Sequence, residues 1–182
     1  MGIGNILFKD EGLGVYASLY LQQNYDFSPA VELIDGGTMG MNMIHIYQSY
    51  QQLIILDTIS VEGTEKAGSV YCLNADVLQG LGNCRKTAHE IEVLQTLELA
   101  SLAGEMAEIQ IIAMVPEQID EVTMALTPTV LDAMPTLIET TLNYLEKWGV
   151  QCAPKSSAVS WQTIIETYHQ QKAPPLVSFG DC

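Results

Sequence analysis

Four side chains in this 182-residue sequence have types and settings suited to chemistry: Glu11 in "NILFKDEGLG", Asp35 in "AVELIDGG", Asp57 in "QQLIILDTIS" and His89 in "TAHEIEVL". Three carboxylates and an imidazole, if brought together, can pass protons or hold a metal through mixed oxygen and nitrogen donors. Each also has a structural role open to it. Asp10 and Glu11 both suit the positive end of the helix that follows them, with Asp10 the better cap. Asp57 can close a turn through its own side chain. His89, flanked by Glu90 and Glu92, reads more readily as a solvated helix start, and "HEIEV" lacks the second histidine of an HExxH zinc site. His45, among Met41, Met43 and Ile44, is expected to be structural, and His169 exposed. The Gly-x-Gly of "GIGN" has no third glycine at dinucleotide-fingerprint spacing, and the lysine and hydroxyl of a phosphate loop are missing.

The elements that must position these groups alternate. "AVELIDGG" and "QQLIILDTIS" are apolar runs ending in Asp35 and Asp57, and "AEIQIIAMVPE" is a third run, halted by Pro116. All three read as strands of a sheet buried on both faces, with "GSVYCLN" as a shorter edge strand. Helical patterns lie between them: about Leu13 to Gln23, then "GMNMIHIYQSY", then "HEIEVLQTLELASLAG" with Gly104 as its stop. "LTPTVLDAMPTLIETTLNYLEKWG" is the clearest, with Thr127 as N-cap, Pro128 at the first helical position and Gly149 past the end. Its Pro135 either kinks the helix or marks its true first turn. This order predicts a three-layer α/β domain, a mostly parallel sheet between helices. In such a sheet ligands sit beyond the carboxyl ends of the strands, where Glu11, Asp35, Asp57 and the loop carrying His89 could converge.

Charge and composition exclude several alternatives. A net charge of −15 with seven Lys and Arg is unsuited to phosphate backbones or an anionic membrane surface. No apolar run approaches the roughly 20 residues that span a bilayer. The N-terminus has no basic segment followed by an apolar stretch and a cleavage site, so a cytoplasmic location is expected. Cys72, Cys84, Cys152 and Cys182 form no CxxC pair and are expected to be reduced thiols, with Cys182 exposed. After Gly149 the composition turns to Pro, Ser and Gln around one short helical pattern, Trp161 to Gln170. Residues 151–182 are therefore expected to be a partly helical appendage with a mobile end.

Five segments taken together, "GIGNILFKDEGLG", "ELIDGGTMGM", "LIILDTI", "TAHEIEVL" and "MVPEQIDEVTMALTPTV", resemble the hydrogenase maturation proteases in order and approximate spacing. These endopeptidases trim the large subunit of nickel-iron hydrogenases. The resemblance covers roughly residues 2 to 150, which are taken as the protease domain. It implies a twisted five-stranded sheet between helices, a metal bound by Glu11, Asp57 and His89, and an activity-linked carboxylate at Asp35. It also implies a peptide hydrolase, classed as aspartic-type, that removes a C-terminal peptide once nickel has been inserted. The nickel is then carried by the precursor, with zinc or cadmium able to substitute, and the enzyme is expected to be a monomer. Relatives carry an apolar run ahead of the equivalent of "GIGN", so a truncated first strand is expected in a chain beginning at Met1.

Two carboxylates and one imidazole are of intermediate hardness and too few to saturate nickel or zinc, which leaves positions for ligands from a substrate. The arrangement suits docking onto a loaded precursor, with Asp35 the candidate to activate water. A metal that itself polarises the carbonyl or activates the water is the rival. The competing class of function is a non-enzymatic module that binds nickel through the same three ligands and delivers it during hydrogenase assembly.

Overall fold

The structure, a computed structural model, describes residues 1–60, 66–75 and 88–172, with the helical backbone alone for 88–92 and 172. Its elements are β1 (Gly2–Ile3), α1 (Leu13–Asn24), β2 (Tyr25–Ser28), β3 (Asp35–Gly37), α2 (Met43–Ser49) and β4 (Gln52–Thr58). They continue with β5 (Val70–Asn74), α3 (Ala88–Ala103), β6 (Glu108–Met114), α4 (Pro128–Lys147), β7 (Gln151–Pro154) and α5 (Trp161–Lys172). Five strands form one sheet in the order β3-β1-β4-β6-β5, parallel except for β5, which runs antiparallel to β6 at the edge. This is the expected three-layer αβα arrangement.

Its layers follow from the burial of the central strands. β4 and β6 bury every residue after their first, so apolar side chains leave both faces of the sheet. On one face Ile54, Leu56, Ile112 and Met114 pack with Leu13 and Tyr16 of α1 and Val130, Met134 and Leu137 of α4. On the other, Leu53, Ile55, Ile109 and Ile111 pack with Met43 and Tyr47 of α2 and Val93 and Leu97 of α3. α4 has the expected start: Thr127 accepts from Val130 N at 3.3 Å, and Pro128 opens the helix. Pro135 is interior to α4, so it does not mark the first turn.

Several local expectations are corrected. The strand expected to end at Asp35 begins there, because its neighbour β1 contributes only two residues to the ladder. Residues 29–34 instead line an apolar cavity of about 400 Å³ with Met1 and residues 50–54. The Met1 amine donates to Ile54 O at 2.8 Å inside this region. A second sheet, β2 with β7 antiparallel, was not anticipated; it ties the start of the appendage to the end of α1. Asn24 completes that tie, accepting from Val159 N at 2.6 Å and donating to Val159 O at 3.1 Å. The end of the appendage, 173–182 with Cys182, and Cys84 lie outside the described residues. His45 is exposed rather than structural, and His169 is half-buried rather than exposed.

Candidate active site

The loop from Asn5 to Gly12 is fixed from two sides. Behind it stands the sheet: a Cβ on Gly14 would lie 2.2 Å from Leu56 O and 2.4 Å from Ile3 O, so only a glycine lets α1 start against the ends of β1 and β4. Beside it runs the 116–127 loop, joined through Lys9 N to Thr123 O at 2.9 Å and Asp10 N to Gln118 O at 3.1 Å. Lys9 adds bonds to Gln118 and, at 2.5 Å, to the Glu121 carboxylate. Lys9 is the one non-glycine residue with positive φ, at 47°, among those described.

Asp10 is fully buried and does not cap α1, whose N-cap position is Gly12 with no side-chain cap. Its carboxylate instead accepts four hydrogen bonds from the neighbouring loop: Glu117 N at 3.0 Å, Gln118 N at 2.9 Å, Thr127 N at 2.7 Å and Thr127 Oγ1 at 3.0 Å. Burial of a carboxylate without a cation is tolerable here because charge-assisted donors replace its water. The division this imposes is sharp: Asp10 points into the protein, while Glu11, the next residue, is half-buried at the sheet edge. Neither Gly12, with a helical φ of −80°, nor Gly14, within α1, uses a backbone conformation reserved for glycine. Their contribution is space.

Asp57 is the penultimate residue of β4, buried at 4 % exposure, with Oδ1 accepting from Thr58 N at 2.7 Å. Asp35 lies two strands away. Gly2 of β1 pairs with Asp35 on one side and Leu56 on the other, so Asp35 stands level with the end of β4 at two strand spacings, about 10 Å. Gly36 permits this approach, since a Cβ there would lie 2.6 Å from Ile3 Cγ2. Glu11, Asp35 and Asp57 therefore share the carboxyl edge of the sheet. His89 is in the first turn of α3, as expected for a residue opening that helix; its side chain lies outside the described residues.

Tyr168, which sequence reasoning passed over, joins this edge, and its neighbour His169, expected to be exposed, contacts α1. Tyr168 of α5 donates its hydroxyl to Asp35 Oδ2, and His169 Nε2 is 2.7 Å from the hydroxyl of Tyr16 in α1. Burial and then the facing Asp35 carboxylate hold the Tyr168 phenol well above its ordinary pKa, so it is the donor. Burial lowers the His169 pKa, which favours a neutral ring able to accept from Tyr16. A signal for α5 was present: Trp161, Ile164, Ile165 and Tyr168 repeat at helical spacing, marking a face that must dock on the core.

Comparison with known proteins agrees with this architecture. The hydrogenase maturation protease family (HycI) matches residues 15–144. The hydrogenase expression/formation protein HoxM of Cupriavidus necator is 32% identical over 161 residues, spanning 88% of this chain and 79% of that protein. The hydrogenase 2 maturation protease of Escherichia coli is 30% identical, spanning 86% of this chain and 95% of its own length. Among solved structures, the hydrogenase maturating endopeptidase HybD from E. coli superposes with a TM-score of 0.77 at 30% identity, over 85% of this chain and 95% of that one. The chain belongs to the hydrogenase maturation protease family. No helix among the described residues is long and apolar enough to cross a membrane.

Proposed function

We propose that this protein is the endopeptidase that removes a C-terminal peptide from the nickel-loaded precursor of a nickel-iron hydrogenase large subunit. Membership of the family supports the general activity. The observation that carries the site assignment is the seating of the Glu11 loop on the ends of β1 and β4, which puts two carboxylates, Glu11 and Asp57, at one sheet edge with Asp35 beyond β1. Glu11, Asp57 and His89 offer ligands to nickel that the precursor brings, a donor set suited to that ion and too small to hold it alone. Proteolysis then acts only on loaded precursor. Asp35 takes a proton from water as the oxygen attacks the scissile carbonyl; the proton passes on to the departing amine. Leu7, Val122 and Met124 leave apolar side chains exposed on the adjacent loops, a surface for the precursor to cover. The proposed setting is the cytoplasm, with the enzyme acting as a monomer.

The test is incubation with nickel-loaded and nickel-free precursor, followed by the size of the large subunit. A shortened product from the loaded form alone is expected. Binding and release without cleavage would instead establish a nickel-delivery module. Glu11→Gln, Asp57→Asn and His89→Ala should each abolish the preference for loaded precursor. Asp35→Asn should bind precursor and fail to cut it; normal binding and cutting would transfer water activation to the metal.

A further inference from the structure

We propose that Tyr168 is a positioning residue for Asp35, so that α5, outside the segment matched by the family, is part of the catalytic apparatus. The inference rests on the reading of Asp35 as the group that activates water. Asp35 opens β3, the edge strand of the sheet, is exposed, and is followed by Gly36 and Gly37, which have no side chains to pack against it. A base must be held close to one geometry to act on a bound water. Tyr168 supplies a restraint: its ring is buried at 9 % exposure while its hydroxyl bonds Asp35 Oδ2.

The hydroxyl is delivered by an element that is itself fixed. Ser160 starts α5, its Oγ accepting from Thr163 N at 3.2 Å and its carbonyl from Ile164 N at 3.0 Å. Trp161 stacks on Tyr20 of α1 with ring centroids 3.9 Å apart, and Tyr168 meets Tyr16 edge-on at 6.2 Å. His169 is bonded to the Tyr16 hydroxyl, and that hydroxyl is 3.4 Å from Met124 O in the loop beside the site. The paired bonds of Asn24 with Val159 fix the approach to the helix. These contacts come from α1 and its end, the helix that the Glu11 loop opens, so one element registers both the Glu11 loop and Asp35.

Tyr168→Phe in the full chain keeps the ring and removes the hydroxyl. Single-turnover cleavage of nickel-loaded precursor should slow about tenfold or more, the scale of one hydrogen bond to a charged group, with precursor affinity unchanged within about twofold. Asp35→Asn/Tyr168→Phe should be no slower than Asp35→Asn alone, since the tyrosine acts through the carboxylate. Wild-type cleavage by Tyr168→Phe, or equal losses of binding and cleavage, would overturn the inference while an inactive Asp35→Asn leaves the assignment of Asp35 intact. Full activity in Asp35→Asn would remove the assignment itself, and the inference with it.

Discussion

Adjacent acids in one decapeptide take opposite roles because their backbone directions differ by a single step. Asp10 turns inward and gathers three backbone N–H groups and one hydroxyl, whereas Glu11 remains at the rim. Asp10→Ala should therefore destabilise the fold by about 3 kcal/mol or more, because four donors lose a charged acceptor at a site closed to water. Urea unfolding measures it, and a loss below about 1 kcal/mol would mean that the loop finds other partners. Local sequence placed both acids at a helix terminus, with Asp10 the better cap, and the structure corrects that cap. Local sequence could not assign Asp10, since all four donors are more than a hundred residues away. Tyr168 and Asp35 were illegible for the same reason, being 133 residues apart.

At the scale of elements, propensity and packing disagree most plainly at Gly14. An alanine there would favour the helix by about 1 kcal/mol on intrinsic preference. The space does not exist: its Cβ would lie well inside contact distance of two strand carbonyls, so α1 would have to lift from β1 and β4. Gly14→Ala should lower stability by about 2 kcal/mol or more, with the overlap outweighing the propensity gain. Thermal unfolding decides this, and a raised midpoint would show that the helix can shift without cost. The same close approach explains why α1 shows no amphipathic stripe: it is buried by the sheet, α4 and α5 on several sides. α4, with one exposed face, was correctly delimited from its caps and periodicity. β2 and β7 were missed because two four-residue strands carry almost no pattern of their own and exist by pairing with each other.

The whole molecule buries groups whose protonation is then linked to folding. The Met1 amine is drawn from its ordinary 8.0 down to about 5 by burial, and the His169 ring is also lowered by burial. Burial disfavours the protonated form of both groups in the folded chain, so the unfolded chain binds more protons and stability, unpenalised above their unfolded pKa values, is lost as pH falls. For a chain whose first residue is Met1, stability should fall from pH 8 towards pH 5 by up to about 4 kcal/mol, three pKa units of one group. Urea unfolding at pH 5, 6, 7 and 8 tests the sign, and a flat or inverted profile would contradict it. The sequence by itself determined the layer architecture, the helix caps of α4 and the position of Asp57 at the end of β4, because hydrophobic period, capping and turn chemistry act between near neighbours. Tertiary structure alone decided that Asp10 serves a distant loop, that β1 pins Asp35 level with Leu56, and that α5 returns to place a tyrosine on Asp35. Those outcomes depend on hydrogen bonds and close approaches between segments remote in the chain, which no local pattern encodes.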